Sequence, residues 1–297
     1  MNTTERKRDR RDRWDRIFVK DSDPFHFIMP FVMPTRCANE AVMTETFDVT
    51  ELGRYLQAKN ALNPDFKYTW FHVICAAMAK VMVLRPKLNY FISGYRLYER
   101  RDIEIAFVIK HRFADEAGES LVKFVVDKNG GSLVEQLHSF TQKMVTKVRK
   151  NGEVTGISNA FNFFDAVPRP LMKLVVGILR RMEYHGLYPK ALMKDDPCYS
   201  SLFITNLGSI KMSADYHHIF EWGTNSFFAV VNEKKKEPFF KEDGSYELKD
   251  TIKMSFTVDE RVADGFYFAK SIKLLRHIIM HPEILDADAS APVDFEY

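Results

Sequence analysis

Two short segments carry residue types that could do acid–base chemistry. One is the pair His217-His218 in SADYHHIFEW, because histidine titrates near neutral pH and can take a proton from an alcohol or a thiol. The other is DERVADG, from Asp259 to Gly265, where charged residues end a predicted strand and a long amphipathic helix follows. The motifs GxGxxG, GxxxxGK[ST], GxSxG and HExxH do not occur, so nucleotide-binding folds and serine hydrolases gain no support.

The histidine pair has two further interpretations. A metal site is disfavoured, because adjacent histidines rarely point the same way on a strand and no clustered third ligand is evident. The sequence therefore predicts no metal. The other interpretation is structural, with both rings hydrogen-bonded in a loop or at a contact between subunits.

Composition bounds the class of protein. The chain has 297 residues, 46% of them hydrophobic, and its net charge of +3 is too small to indicate nucleic-acid binding. Three cysteines without a CxxC pair predict free thiols and a reducing, cytoplasmic location.

The longest apolar stretch, PLMKLVVGILRRM from Pro170, is shorter than the about 20 residues of a membrane span. There we expect a helix packed on the domain, with peripheral membrane contact as the alternative.

Hydrophobic periodicity predicts one α/β domain with a mixed sheet and packed helices. Strand patterns lie at residues 41–49, 102–110, 119–127, 201–207, 225–232 and 251–258, the last two joined by a hairpin that turns at Asp243-Gly244. Helical spacing lies at 49–59, 69–84 and 132–150 and after Gly265. FHFIMPFVMP, broken by Pro30 and Pro34, is predicted to be extended.

These elements suggest the domain limits. Residues 1–15 are predicted to be a charged, solvated arm, and residues 16–290 a single domain. Within that domain we predict a helical insertion at 158–196, and residues 291–297 form an acidic tail.

DERVADG resembles the DHRxxDG signature of the acyltransferase (E2) subunits of 2-oxo acid dehydrogenases and the HHxxxDG signature of chloramphenicol acetyltransferases. SLFITNLGSI is similar to the E2 strand and turn FTISNLG, and Trp14-Asp15-Arg16 is similar to the W-x-R entry of the second family. Because the matches are collinear from Trp14 to Leu285, the chain is identified as a free-standing member of this superfamily. The resemblance implies a two-layer α/β sandwich. No lipoyl domain occurs in the chain, which disfavours a conventional E2 subunit.

The resemblance also implies a mechanism. In the family, trimers hold the active site between two subunits, and the signature histidine removes the proton from an acceptor hydroxyl or thiol. The acceptor then attacks the thioester of an acyl-coenzyme A, and a hydroxyl of the facing subunit, here Thr205, holds the tetrahedral oxyanion. The implied partners are an acyl donor, a small-molecule acceptor and further copies in a homotrimer or a multiple of trimers. The implied structural residues are Asn206, Asp259, Arg261, Gly265 and an ion pair between Arg16 and Asp264.

Glu260 stands where the family has its catalytic histidine. A glutamate has a pKa of about 4.3, so it is a weak base for an alcohol or a thiol unless burial raises that pKa. Three hypotheses follow. Glu260 is a retuned base, or His217 or His218 supplies the base, or the chain is a catalytically inactive trimeric binding or scaffold protein.

Overall fold

The strand patterns build one large mixed sheet, seen in a computed structural model that describes residues 7–111, 118–150 and 167–296. Its strands lie in the spatial order β2 (Glu40–Asp48), β9 (Tyr246–Asp259), β8 (Phe227–Phe240), β7 (Leu202–Asn206), β5 (Glu104–Lys110) and β6 (Glu119–Val125). β7 is parallel to β5 and β8, and the other neighbours are antiparallel. A smaller antiparallel sheet has the order β1 (Arg16–Phe18), β4 (Arg96–Arg100), β3 (Tyr90–Ser93).

The helices of the described residues are α1 (Pro24–Val32), α2 (Thr50–Ala61), α3 (Trp70–Leu84), α4 (Leu133–Val145), α5 (Arg169–Tyr184), α6 (Lys190–Asp195) and α7 (Gly265–Met280). Of these, α2, α3, α4 and α7 pack on one face of the main sheet, and α3 is buried over most of its length because it is apolar on nearly all sides. Ile105, Phe107 and Ile109 point into this core from β5, as their alternation predicts. The predicted two-layer α/β sandwich is confirmed.

The predicted strands are found, and two of them are longer than their patterns indicate. β8 and β9 have 14 residues each and continue past the sheet as a two-stranded hairpin. Its turn lies at Asp243-Gly244, as predicted, with Gly244 at a φ of +80°. The Asp243 carboxylate accepts a hydrogen bond of 2.9 Å from the Ser245 amide. Aspartate and glycine suit this turn because one caps the backbone and the other tolerates positive φ.

The prediction that FHFIMPFVMP is extended is wrong, because the segment forms α1. The Asp23 carboxylate accepts hydrogen bonds from the amides of Phe25 and His26, and Pro24 occupies the first helical position. A capping carboxylate and a first-turn proline both favour a helix start. Pro30 lies in the second half of this short helix.

The described parts of the predicted arm and tail make contacts with the rest of the domain. The Asp12 carboxylate accepts a hydrogen bond of 2.8 Å from the Phe18 amide, and the Arg101 amide donates to the carbonyl of Asp15. At the other end, the Lys80 ammonium donates to the carbonyl of Ala291, and Phe295 lies against the main core. The predicted insertion is helical where it is described, with α5 and α6, and its residues 158–166 lie outside the described ranges.

A buried histidine gives the fold a pH dependence. His72, in the first turn of α3, is buried, and its Nδ1 accepts a hydrogen bond of 3.1 Å from the Thr69 amide. Burial, reinforced by His138, lowers the pKa of His72 to about 4. The unfolded chain, with a histidine pKa of about 6.5, therefore binds this proton more readily, so the stabilisation is complete above about pH 6.5 and is lost as pH falls.

We expect His72 to lower the free energy of unfolding by about 2 kcal/mol between pH 7.5 and pH 5. Urea denaturation at the two pH values measures this. His72→Gln, which keeps an acceptor and cannot become charged, should flatten the pH dependence. His281→Gln, at an exposed site, is the control and should leave it unchanged. If His72→Gln loses stability with pH as the natural chain does, the assignment fails.

Candidate active site

The first and third residues of DERVADG form a buried ion pair at the end of β9. Nη2 and Nε of Arg261 lie 2.6 and 2.8 Å from the two carboxylate oxygens of Asp259, and both residues are almost completely buried. The remaining guanidinium nitrogen, Nη1, donates to the carbonyls of Met33 and Pro34, each at 3.0 Å. The pair therefore fixes the turn after β9 to the chain that follows α1.

Glu260 lies on the outside of this turn. Its amide donates a hydrogen bond of 3.0 Å to the carbonyl of Asn39, which extends the pairing of β9 with β2. Its side chain is exposed. The burial that would make this carboxylate a stronger base is therefore not supplied by its own chain.

The predicted ion pair between Arg16 and Asp264 is not formed. The Arg16 guanidinium lies 2.9 Å from the Asp15 carboxylate and 3.7 Å from that of Glu183. The Asp264 carboxylate instead accepts a hydrogen bond of 2.7 Å from the Tyr267 amide and is the N-cap of α7. First-turn amides lack partners inside the helix, so a carboxylate directly before Gly265 is held there.

Thr205 lies near the end of β7, on the face of the sheet away from α3, and Asn206 follows it as the last residue of the strand. Thr205 shares a face with Phe203, whose ring lies in a second core cluster, and its side chain is half-buried. Its hydroxyl makes no hydrogen bond to any residue in the described ranges, so it is free to bind a ligand. The turn after β7 requires glycine at position 208, because a Cβ there would lie 2.8 Å from the carbonyl oxygen of Asn232.

The histidine pair lies on this same face. The His217 ring stacks on Phe228 with centroids 3.9 Å apart, and its Nδ1 lies 2.9 Å from the carbonyl oxygen of His218, whose ring is exposed. Glu40 anchors the loop, because its carboxylate accepts a hydrogen bond of 2.6 Å from the Ile219 amide and another from the Tyr216 hydroxyl. The stacked His217 fits the structural interpretation better than it fits a free base.

Strand register sets the spacing of the candidate residues. Phe228, under His217, pairs with Phe203, two residues before Thr205, so His217 and Thr205 are neighbours on one face. Thr205 of β7 pairs with Val230 of β8, and Val230 pairs with Ser255 of β9. Ser255 lies five residues before Glu260. Five residues of about 3.3 Å and two strand spacings of about 4.8 Å separate Thr205 from Glu260 by about 19 Å. One chain therefore brings Thr205 and His217 together but keeps Glu260 apart.

Residues 36–40 were missed by sequence reasoning, although they join both parts of the site. Arg36 donates a hydrogen bond of 2.8 Å to the carbonyl of Phe220 and lies 3.9 Å from the Asp259 carboxylate. The Asn39 carbonyl accepts the hydrogen bond from the Glu260 amide, and the Glu40 carboxylate accepts the one from the Ile219 amide in the histidine loop. Their partners lie about 180 or more residues along the chain, so no local pattern indicates them.

Three further features of the described residues bear on other kinds of site. No group of three histidine, cysteine or acidic residues there is placed to hold a metal ion. Nor does any helix of these ranges have the length and hydrophobicity to cross a bilayer. A cavity of about 590 Å³, lined by residues such as Lys123 and Tyr199, lies at the β6 edge, four strands away from the turn after β9.

The fold was compared with known proteins. No protein-family model matches the sequence, and no curated protein matches it. Among solved structures, the chain is similar to a probable dihydrolipoamide acetyltransferase from Listeria monocytogenes 4b F2365, with a TM-score of 0.57, 16% identity, and 86% of this chain and 88% of that chain covered.

Two further solved structures are similar to this chain. The cubic core of the pyruvate dehydrogenase multienzyme complex gives a TM-score of 0.58 with 15% identity over 89% of this chain and 93% of that chain. A chloramphenicol acetyltransferase gives 0.54 with 10% identity over 89% and 99%. Identities this low establish the fold alone. The chain therefore has the fold shared by the catalytic cores of E2 acyltransferases and chloramphenicol acetyltransferase.

Proposed function

We propose that this protein transfers an acyl group from a coenzyme A thioester to a hydroxyl or thiol acceptor, at a site completed by a second copy of the chain. The observation that carries the proposal is the strand register, from which Thr205 and Glu260 of one chain are about 19 Å apart. Each side chain is accessible and lies on an acyltransferase fold, yet the two cannot act on one substrate within one chain. A neighbouring copy in a trimer can supply the missing half to each.

The hairpin of β8 and β9 supports an assembly. Beyond the sheet it exposes the large apolar side chains Phe240, Tyr246 and Leu248, which are 74%, 60% and 57% exposed. Exposed apolar groups on a projecting two-stranded arm form a surface that another protein chain commonly covers. A second copy that buries this arm would also lie beside the end of the sheet.

The proposed chemistry needs two protein groups. Glu260 of one copy takes the proton of the acceptor hydroxyl or thiol, and the acceptor forms a bond to the thioester carbonyl carbon. The Thr205 hydroxyl of the facing copy donates a hydrogen bond to the oxyanion of the tetrahedral intermediate. The intermediate then expels the thiolate of coenzyme A, which recovers the proton from Glu260.

Substitution of the two candidate bases tests the proposal. Purified protein is given acyl-coenzyme A and a panel of acceptors, and the release of free thiol is measured. We expect Glu260→Gln to lower kcat by 10²- to 10⁴-fold, because general-base catalysis contributes about that much. We expect His218→Ala, at an exposed ring beside the same face, to change kcat less than about threefold.

The alternatives have distinct outcomes. Loss of activity in His217→Ala or His218→Ala, but not in Glu260→Gln, would move the base to the histidine pair. Binding of the thioester without turnover, in a correctly assembled protein and over a broad acceptor panel, would indicate a scaffold and contradict the proposal.

A further inference from the structure

Helix α5 exposes apolar side chains to an unusual degree. None of its residues is buried, and Leu171, Leu174 and Ile178 are 50%, 60% and 50% exposed. Their spacing of three and four residues places them on one face of the helix. We call these three side chains the apolar stripe. The prediction that this segment simply packs on the domain therefore describes only part of it.

A different side of α5 attaches the helix to the domain. Leu179 packs against the cluster of Tyr188, Met193 and Tyr199. Near the C-terminal end, the Glu183 carboxylate accepts a hydrogen bond of 2.7 Å from the Ser93 hydroxyl and lies 3.7 Å from Arg16. These contacts fix the orientation of the helix, so the apolar stripe faces outward because of the fold and not because the helix is loose.

Exposed cations give α5 a polar face, because Arg169, Lys173 and Arg180 lie on the side away from the apolar stripe and Arg181 borders it. α5 carries four basic residues, all exposed, against a single acidic one, Glu183, whose carboxylate is engaged with the body. Arg181 lies seven residues after Leu174, which places it at the border of the stripe. None of the four forms an ion pair with an acidic residue of the described ranges; they are Arg169, Lys173, Arg180 and Arg181.

The same charge pattern continues beyond the helix. Leu187 and Lys190 follow α5 and are exposed, and Lys190 lies 5.2 Å from the ring of Trp14, which is 45% exposed. Arg13 donates to the carbonyl of His185, which brings the arginine-rich N-terminal segment beside the end of α5. An aromatic ring with an apolar body and a polar edge is favoured at a bilayer surface.

We propose that α5 docks this protein on an anionic lipid surface, with the apolar stripe among the acyl chains, Arg181 at its border, and the cations of the polar face adding electrostatic attraction to the anionic headgroups. Leucine and isoleucine on one face, with arginine and lysine on the polar face, is the pattern of a helix that lies in a membrane interface. A protein–protein contact is a poorer fit, since the centres of such contacts are depleted in charge and rich in aromatic residues. With 16 residues, α5 is too short to span a bilayer, which needs about 20.

Vesicle flotation tests this with the full chain. Wild-type protein should float with phosphatidylcholine vesicles that contain about a third phosphatidylglycerol, and much less with phosphatidylcholine alone. Leu174→Glu combined with Ile178→Glu should weaken binding at least about 30-fold, because two apolar side chains lose their burial. Lys173→Gln with Arg180→Gln should weaken binding to anionic vesicles by about 25-fold, at about fivefold for each charge, with little effect on neutral ones.

Leu62→Glu is the matched control, because Leu62 is 83% exposed at the end of α2, and its binding should equal that of wild type. Far-UV circular dichroism checks that each variant is folded. If the glutamate variant does not fold, the replacements of Lys173 and Arg180, which are exposed, still test the proposal. Absence of flotation by wild type, or flotation of the stripe variant equal to wild type, overturns the proposal. A stripe variant with a smaller mass in lipid-free solution also overturns it, because a second copy then covers the stripe.

Discussion

Replacing Asp259 with alanine, with Arg261 left in place, is expected to lower the free energy of unfolding by about 3–5 kcal/mol. The carboxylate accepts two hydrogen bonds from the Arg261 guanidinium, and Arg36 lies 3.9 Å away, so its removal leaves two buried arginines without their counterion. Chemical denaturation of wild type and variant measures the change.

A double replacement distinguishes the contribution of the ion pair to the free energy of unfolding from the contribution of side-chain packing. Asp259→Leu with Arg261→Met removes both charges and keeps similar volumes, and we expect it to be closer to wild type than Asp259→Ala, because no unpaired charge is left on the Arg261 side. Glu51→Ala, which breaks an exposed ion pair with Arg54 on α2, is the surface control and should cost less than about 1 kcal/mol. An Asp259→Ala variant as stable as the Glu51→Ala variant would show that the buried pair does not hold the turn.

The second large effect concerns the oxyanion. Thr205→Val keeps the shape of the side chain and removes its hydroxyl, so on the proposed mechanism kcat should fall by 10²- to 10³-fold, the usual effect of losing one oxyanion donor. Thr44→Val, at an exposed strand position of β2, is the matched control and should retain activity and stability. Steady-state kinetics of free-thiol release distinguish the two. Equal activity of Thr205→Val and wild type would remove Thr205 from the mechanism.

Mixing two inactive variants tests whether copies share the site. If Glu260 of one copy works with Thr205 of the next, random trimers of Glu260→Gln and Thr205→Val chains contain some sites in which both residues are intact. A ring of three heterologous contacts predicts recovery of about a quarter of wild-type activity. A site contained within one chain predicts no recovery, because every chain in the mixture carries one defect.

The sequence predicts the sheet and its helices well for a physical reason. Strand and helix patterns depend on neighbours two to four residues apart, which is why β5, α3 and the turn at Asp243-Gly244 lie where alternation, apolar length and turn chemistry place them. α1 is the exception. The prolines in FHFIMPFVMP suggested an extended chain, but the cap at Asp23 and the contact of its far end with Arg261 favour a helix.

The same local logic explains what could not be predicted about the site. The segment DERVADG determined, by itself, a strand end, a turn and a capped helix with Glu260 at the tip. Which groups meet these residues depended on chain returns of about 180 residues or more, through which Asn39 and Arg36 reach the turn. Arg16 pairs with its neighbour Asp15 at 2.9 Å, and the fold also brings Glu183 to 3.7 Å from it. The sequence could not show the second contact, because an ion pair needs proximity in space and a sequence shows only order.

The sequence thus determined the fold and the chemical types at the candidate site. Only the tertiary structure decided that Thr205 lies beside His217 and about 19 Å from Glu260, since strand register, not residue type, sets that distance. It also decided that the apolar stripe of α5 faces outward. A hydrophobic pattern shows which side of a helix avoids water, but only packing shows whether the domain itself covers that side.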